Sequence, residues 1–192
     1  MPELILASTS PYRRTLLERL GLPFTAVAPE VPEDPLAGEL PPDRALRLSI
    51  AKAQAVAARY PHSVIIGSDQ VASDGHKVLG KPGDASRCRA QLLGASGSSV
   101  RFHTGCALIG LDASIRLVHL DTTTVFFRAL GEQEIDRYVE REQPFDCAGG
   151  FRAEGLGISL FESIESIDPT ALIGLPLIWL AGGLRRAGFT LP

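Results

Sequence analysis

Short uninterrupted apolar runs alternate with helical-period segments through the first half of this chain. "ELILAS" reads as a short buried strand, with "PFTAVAP" and "SVIIGSD" as the second and third. After the first strand, Leu16, Leu17 and Leu20 recur at helical spacing behind Ser10 and Pro11. Serine is a good N-cap and proline suits the first helical position, so a helix is predicted from there to Gly21. The Pro- and acid-rich segment 30–42 predicts a loop, and Asp43 is expected to open a helix through "RALRLSIAKAQAVAARY". The third strand is expected to end in a turn toward "QVASDGHKVLG", which reads as a hairpin around Asp74-Gly75.

Later, "ASRCRAQLLGAS" predicts a helix ending at Gly94 or Gly97. "SVRFHTGCALIGL" and "IRLVHLDTTTVFFRAL" predict two long strands with a turn at Asp112-Ala113-Ser114. "GEQEIDRYVERE" reads as an acid-fronted helix, "PFDCAGGFRAEGLGISL" as a glycine-rich segment with a strand near its end, and "LPLIWLAGGLRRAG" as a closing helix. Early alternation followed by long paired strands points to an α/β or mixed α+β fold with a central sheet, in one domain over 1–192.

Composition narrows the function classes. With 19 basic against 22 acidic residues the net charge is -3, and aromatics are 6% of the chain, which argues against a binder of nucleic-acid polymers. The opening "MPELILAS" has no basic n-region, and "ALIGLPLIWLAGGL" is broken by Pro176, so neither a leader nor a membrane span is expected. Cys88, Cys106 and Cys147 show no paired spacing and read as free thiols in a reducing cytoplasm. His62, His76, His103 and His119 form no ligand pair and read as structural or surface residues.

Several polar residues carry candidate chemistry. A helix N-terminus favours acids, yet Arg13 and Arg14 stand in the first turn beside Tyr12. Together with Ser8 and Ser10 they suit an anion bound at a strand-loop-helix junction; alternatively the arginines reach into solvent or pair with Glu18. "IIGSDQ" is expected to deliver Asp69 to the C-terminal end of a buried strand, to hold a divalent metal or deprotonate a water, or else simply to cap a turn. Glu33 is a second carboxylate for that metal, although alone it reads as a solvated loop residue. Lys52, among alanines, becomes notable only if other cations converge with it. "GHKVLGKP" fails as a P-loop because Pro82 replaces the hydroxyl residue, leaving Lys81 as a stiffly presented cation. "GLGISL" lacks the third glycine of a dinucleotide fingerprint and is expected to open a strand.

Taken together, "LASTSPYRRTLL", the Glu33 region, "AKA" around Lys52, "GSDQ", "GKP", "AGGFRAEGLG" and "IGLPL" resemble the Maf family of nucleoside triphosphate pyrophosphatases, in family order across nearly the whole chain. The resemblance implies an elongated central mixed sheet flanked by helices, with two lobes and a cleft, similar to inosine triphosphate pyrophosphatases. It implies hydrolysis of a nucleotide to the monophosphate and diphosphate with a divalent cation (Mg, Mn or Co), in a cytoplasmic homodimer. By motif matching Asp69 is the acid/base; Ser10, Arg13, Arg14, Lys52 and Lys81 bind phosphate; Glu33 is the other acidic position.

Tyr12, Gln70 and Glu154 resemble the branch that hydrolyses 7-methyl-GTP, where the commoner pattern acts on dTTP and UTP. A carboxylate accepts both N1–H and the N2 amine of guanine, and N7 methylation makes the base cationic, which favours a carboxylate and a π face. Without the resemblance Glu154 reads as an exposed loop acid. Alternatives are a dTTP/UTP or broader pyrophosphatase, or a nucleotide-sensing regulator of septum formation. One departure is "DPTALIGLP" from Asp168 to Pro176, where some of the family reads "SNVVGLP"; it is read as branch variation.

Overall fold

The computed structural model describes residues 2–75, 77–112 and 114–192. His76 and Ala113, and so the expected role of the former and the centre of the 112–114 turn, lie outside the described residues. The chain runs β1 (Leu4–Ala7), α1 (Pro11–Glu18), β2 (Thr25–Ala26), α2 (Pro41–Ala57), β3 (Val64–Ser73), β4 (Val78–Leu79) and α3 (Ala85–Ala95). Then follow β5 (Ser99–Gly110), β6 (Ile115–Phe127), α4 (Glu132–Glu142), β7 (Phe161–Glu165) and α5 (Leu177–Arg186). The strands form one mixed sheet in the order β2-β1-β3-β5-β6-β7, with β4 on β3. β1 pairs in parallel with β2 and β3; β4 and β7 pair antiparallel with β3 and β6. This is the mixed α/β fold expected.

The chain divides into two compact units: 1–70, 103–121 and 168–192 in the first, and 71–102 and 122–167 in the second. In the first, alternate residues of each strand serve opposite faces, as a period of two requires. Leu4, Leu6, Val64, Ile66, Cys106 and Leu108 pack with Leu16 and Leu17 of α1 and Leu180 and Leu184 of α5. Ile5, Ala7, Ile65, Ala107 and Ile109 pack with Ala53, Val56 and Ala57 of α2. In the second, Phe102, Phe127, Phe151 and Phe161 make four edge-to-face contacts with ring centroids 4.8–5.5 Å apart.

Several expected boundaries move, each for a local reason. α2 begins at Pro41 rather than Asp43, because two prolines preset the backbone of a first turn whose N–H groups have no helical partner. β2 keeps only Thr25 and Ala26 in register, between Pro23 and Pro29. "GLGISL" does not open a strand: Leu156–Leu160 is a 3-10 turn, and β7 starts after it. A Cβ at Gly157 would lie 2.3 Å from Arg152 O, so the chain folds back on itself there. β3 does not end at Asp69 but continues to Ser73, and its antiparallel pairing with β4 makes the expected hairpin. Its parallel pairing with β1 ends at Gly67, so Asp69 lies just past the end of β1.

Two glycines set how α2 meets the sheet. A Cβ at Gly67 would sit 2.2 Å from Ser49 O and 2.7 Å from Ala53 N; one at Gly105 would sit 2.3 Å from Ala45 O. These are backbone atoms, so the helix itself must lift to admit a methyl group. Gly67→Ala should therefore cost about 1–3 kcal/mol, read as a lowered urea midpoint at unchanged slope.

Asp121, at the end of the β6 stretch in the first unit, is buried, and its Oδ1 has no hydrogen-bond partner among the described residues. Burial, then the Asp168 charge, raise its pKa above the usual carboxylate value, opposed by His119 and by hydrogen bonds from the Asp168 backbone and His119. Folding therefore favours the protonated acid, and this contribution is lost as pH rises through the folded-state value. Asp121→Asn should raise the melting temperature at pH 7, with the gain shrinking toward about pH 4, near the unfolded carboxylate value.

Candidate functional site

The close approach at Gly67 brings a lysine of α2 against a carboxylate of β3. Lys52 Nζ lies 2.6 Å from Asp69 Oδ1 and 2.7 Å from Glu33 Oε1. Both Lys52 and Asp69 are buried, with side chains 7% and 10% exposed, whereas the Glu33 side chain is 57% exposed. The two carboxylates expected to share a metal thus share an ammonium. Lys52 is not a solvated lysine on an alanine face, because those small residues are what let the helix approach.

Glu33 is held there by its own loop. Arg44 Nη2 donates to Glu33 O at 2.8 Å and Arg47 Nη2 to Asp34 O at 3.1 Å. Arg47 also pairs with Glu39, whose carboxyl is held at about 2, chiefly by that hydrogen bond. α2 therefore supplies three cations to one acidic loop, two to its frame and one to its Glu33 carboxylate.

Ser10 caps α1 as expected, its Oγ accepting Arg13 N–H at 3.4 Å, and Ser8 Oγ accepts Ser10 N–H at 3.1 Å. Ser8 is buried; Tyr12 and Arg13 are partly buried; Arg14 is exposed. Arg13 turns inward, donating from Nε to Gly174 O at 3.0 Å. Burial lowers its pKa, opposed by the negative charges of Asp69 and, less, Glu33. Among the described residues neither arginine forms an ion pair with Glu18. The charge that answers Arg13 comes from Asp69 and Glu33.

The loop that receives Arg13 is fixed by a set of polar residues of which only Gln70 was a site candidate in the sequence, and there for base selection. Ser68 Oγ lies 2.7 Å from Gly174 O and 2.9 Å from Gly105 O. Thr104 Oγ1 donates to Ala171 O at 2.9 Å. Gln70 Nε2 donates among Thr104 Oγ1, Ala171 O and Leu172 O at 2.9–3.0 Å, so its amide nitrogen tethers the loop. Asp168, buried, accepts from Thr170 N and Oγ1 and from Ile178 N, in the first turn of α5. Thr170 Oγ1 also receives Leu177 N–H and lies 2.7 Å from Leu175 O. The departure "DPTALIGLP" is thus a self-tied loop capping α5, with a negative charge at the helix's positive end. The one signal available was Asp-x-Thr ahead of an apolar run, but at a spacing no local cap uses.

Lys81 and Glu154 belong to the second unit and are both exposed. Lys81 precedes the buried Pro82, and Glu154 stands between Arg152 and Leu156, both held to α4. Gly149 and Gly150 of "AGGF" have φ of 79° and 73°, the left-handed region that favours glycine, and deliver Phe151 to the aromatic cluster. Cys88 and Cys106 are free buried thiols that burial pushes up to about 11 and about 12, so both stay protonated at neutral pH.

Hard oxygen donors on Asp69 and Glu33 are of the kind Mg²⁺ and Mn²⁺ select. Among the described residues no three His, Cys, Asp or Glu gather into a metal cage. Two carboxylates fit a cation that completes its shell with water and phosphate oxygens. Lys52→Met would leave both carboxylates facing each other without their shared cation, and should cost about 3 kcal/mol of stability, measured by urea unfolding.

Comparison with known proteins follows the same residues. The family model described as "Maf-like protein" matches residues 3–187. A Xanthomonas oryzae pv. oryzae protein named 7-methyl-GTP pyrophosphatase is 56% identical over 192 residues, all of both chains. A Pseudomonas aeruginosa protein of the same name is 53% identical over 193 residues, again all of both. The solved Staphylococcus aureus Ham1 protein aligns with TM-score 0.46 at 14% identity, over 65% of this chain and 71% of that one. Among the described residues no helix is long and apolar enough to cross a membrane.

Proposed function

The chain belongs to the Maf family, and on that premise we propose that it hydrolyses 7-methyl-GTP to 7-methyl-GMP and diphosphate. The observation that carries the chemistry is the convergence of Lys52, Asp69 and Glu33 beside the inward-turned Arg13. Relatives more than half identical over their full length and named for that reaction carry the substrate.

Asp69 takes the proton of the attacking water, whose oxygen forms a bond to the α-phosphorus. The bond from that phosphorus to the oxygen bridging to the β-phosphate breaks, and its electron pair leaves with diphosphate. Arg13, Arg14, Lys52 and Lys81, with Ser8 and Ser10, hold the triphosphate and stabilise the charge developing on the leaving group. Asp69 and Glu33 would hold a divalent cation, which supplies Lewis-acid neutralisation of phosphate charge when bound. Glu154 accepts from N1–H and the N2 amine of the base, Tyr12 offers its ring to the cationic purine, and Gln70 acts through the loop it tethers. We extend the proposal to a homodimer in the cytoplasm, which only the family resemblance supports.

A panel of nucleoside triphosphates with Mg²⁺ or Mn²⁺, read by diphosphate release, tests this. Turnover of 7-methyl-GTP above dTTP and UTP is expected; pyrimidine preference would sink the substrate, and no turnover of any would sink the enzyme. Asp69→Asn should lower kcat by about 10²-fold or more, with circular dichroism unchanged. Glu154→Gln should reduce 7-methyl-GTP hydrolysis while leaving the melting temperature near that of the parent.

A further inference from the structure

In the second unit, Glu154 stands on a short turn whose two ends are both held from α4. At one end Arg152 N–H donates to Tyr138 Oη at 3.0 Å, and Arg152 Nη1 pairs with Glu142 Oε1 at 3.0 Å. At the other, Leu156 N–H donates to Glu142 Oε2 at 2.8 Å. Tyr138 and Glu142 are four residues apart, hence on one face of the helix. One carboxylate thus bridges positions 152 and 156, with Glu154 midway between.

The glycines of the turn fit this reading. A Cβ at Gly155 would lie 2.6 Å from Glu142 Oε1, so the backbone next to Glu154 rests directly on the carboxylate. Gly155 N–H also donates to Arg152 O at 3.2 Å, closing the turn. Glu142 is a poor choice for the helix alone, because an acid in the last turn faces the negative end of the dipole. Its two contacts outside the helix account for it. Tyr138 is buried and the Glu142 side chain is 11% exposed, while Glu154 itself is exposed. A solvated glutamate on a slack loop would read a base poorly; one on a pinned turn is preorganised.

We propose that Glu142, with Tyr138, is a positioning residue for base selection, holding the turn that presents Glu154 to the purine. This rests on the reading of Glu154 as the group that meets the base. Glu142 touches no reacting atom and acts only through the turn.

The test is a double-mutant cycle on the full chain, reading the ratio of kcat/KM for 7-methyl-GTP over UTP, whose base lacks the adjacent N1–H and N2 amine that Glu154 accepts. Glu142→Gln should lower that ratio about tenfold, and in a Glu154→Gln background it should lower it no further, because the two residues act through one contact. Additive losses would overturn the proposal, as would an equal fall for both nucleotides with the ratio kept. Should Glu142→Gln fail to fold, Tyr138→Phe removes only the hydroxyl that accepts Arg152 N–H and is read through the same cycle. Hydrogen exchange at the Leu156 amide supplies a readout without substrate: it should quicken in Glu142→Gln, and unchanged exchange would overturn the tether. A wild type with no purine preference but with that amide protected would instead overturn the role of Glu154, and the positioning role with it.

Discussion

The first unit depends on how closely α2 lies on the sheet. Gly67 and Gly105, on the neighbouring strands β3 and β5, leave no room for a Cβ against the backbone at Ser49 and Ala45. Alanines line the helix on that side. The contact brings the Lys52 ammonium within hydrogen-bond reach of Asp69 on β3, two residues past the glycine. With a longer helix-to-strand separation the lysine would have to choose between Asp69 and water. The same helix holds the acidic loop through Arg44 and Arg47, so Glu33 arrives at the same ammonium from the other side.

A buried polar network performs the equivalent task for Arg13. Ser68, Gln70 and Thr104 sit at inward positions of the sheet and spend their hydrogen bonds on carbonyls of the 171–174 loop. Asp168 and Thr170 tie the ends of that loop to α5. Because buried polar groups are costly unless paired, such a network is specified closely once it exists. It leaves the Gly174 carbonyl where Arg13 Nε can reach it, which holds that partly buried guanidinium on the loop, within the field of the Asp69 and Glu33 charges. Gln70 accordingly serves first as a structural tether, and any influence on the base passes through the loop.

The second unit repeats the logic with different materials. Four phenylalanines form its aromatic centre, and two glycines with positive φ admit Phe151 to it. From α4, Tyr138 and Glu142 hold the turn that follows. Local backbone freedom at glycine is used here to place a segment, and side-chain hydrogen bonds are used to keep it there.

Most elements, and the residue types of the site, were legible in the sequence, because apolar periodicity and cap chemistry are local properties. The cap at Ser10, the hairpin at Asp74-Gly75, the long strands β5 and β6 and the acid-fronted α4 all follow from residues within a few positions of each other. The misplaced edges share one cause. Asp69 looked like the end of a strand because a carboxylate inside a sheet needs a partner, and that partner, Lys52, lies 17 residues away on another element. Likewise nothing local announces that Asp168 caps a helix ten residues on, or that Glu142 spans 152 to 156. By itself the sequence determined which groups are present and which elements carry them. Only the tertiary structure decided which of them meet, since a buried charge or amide takes its partner from whatever packing brings within about 3 Å.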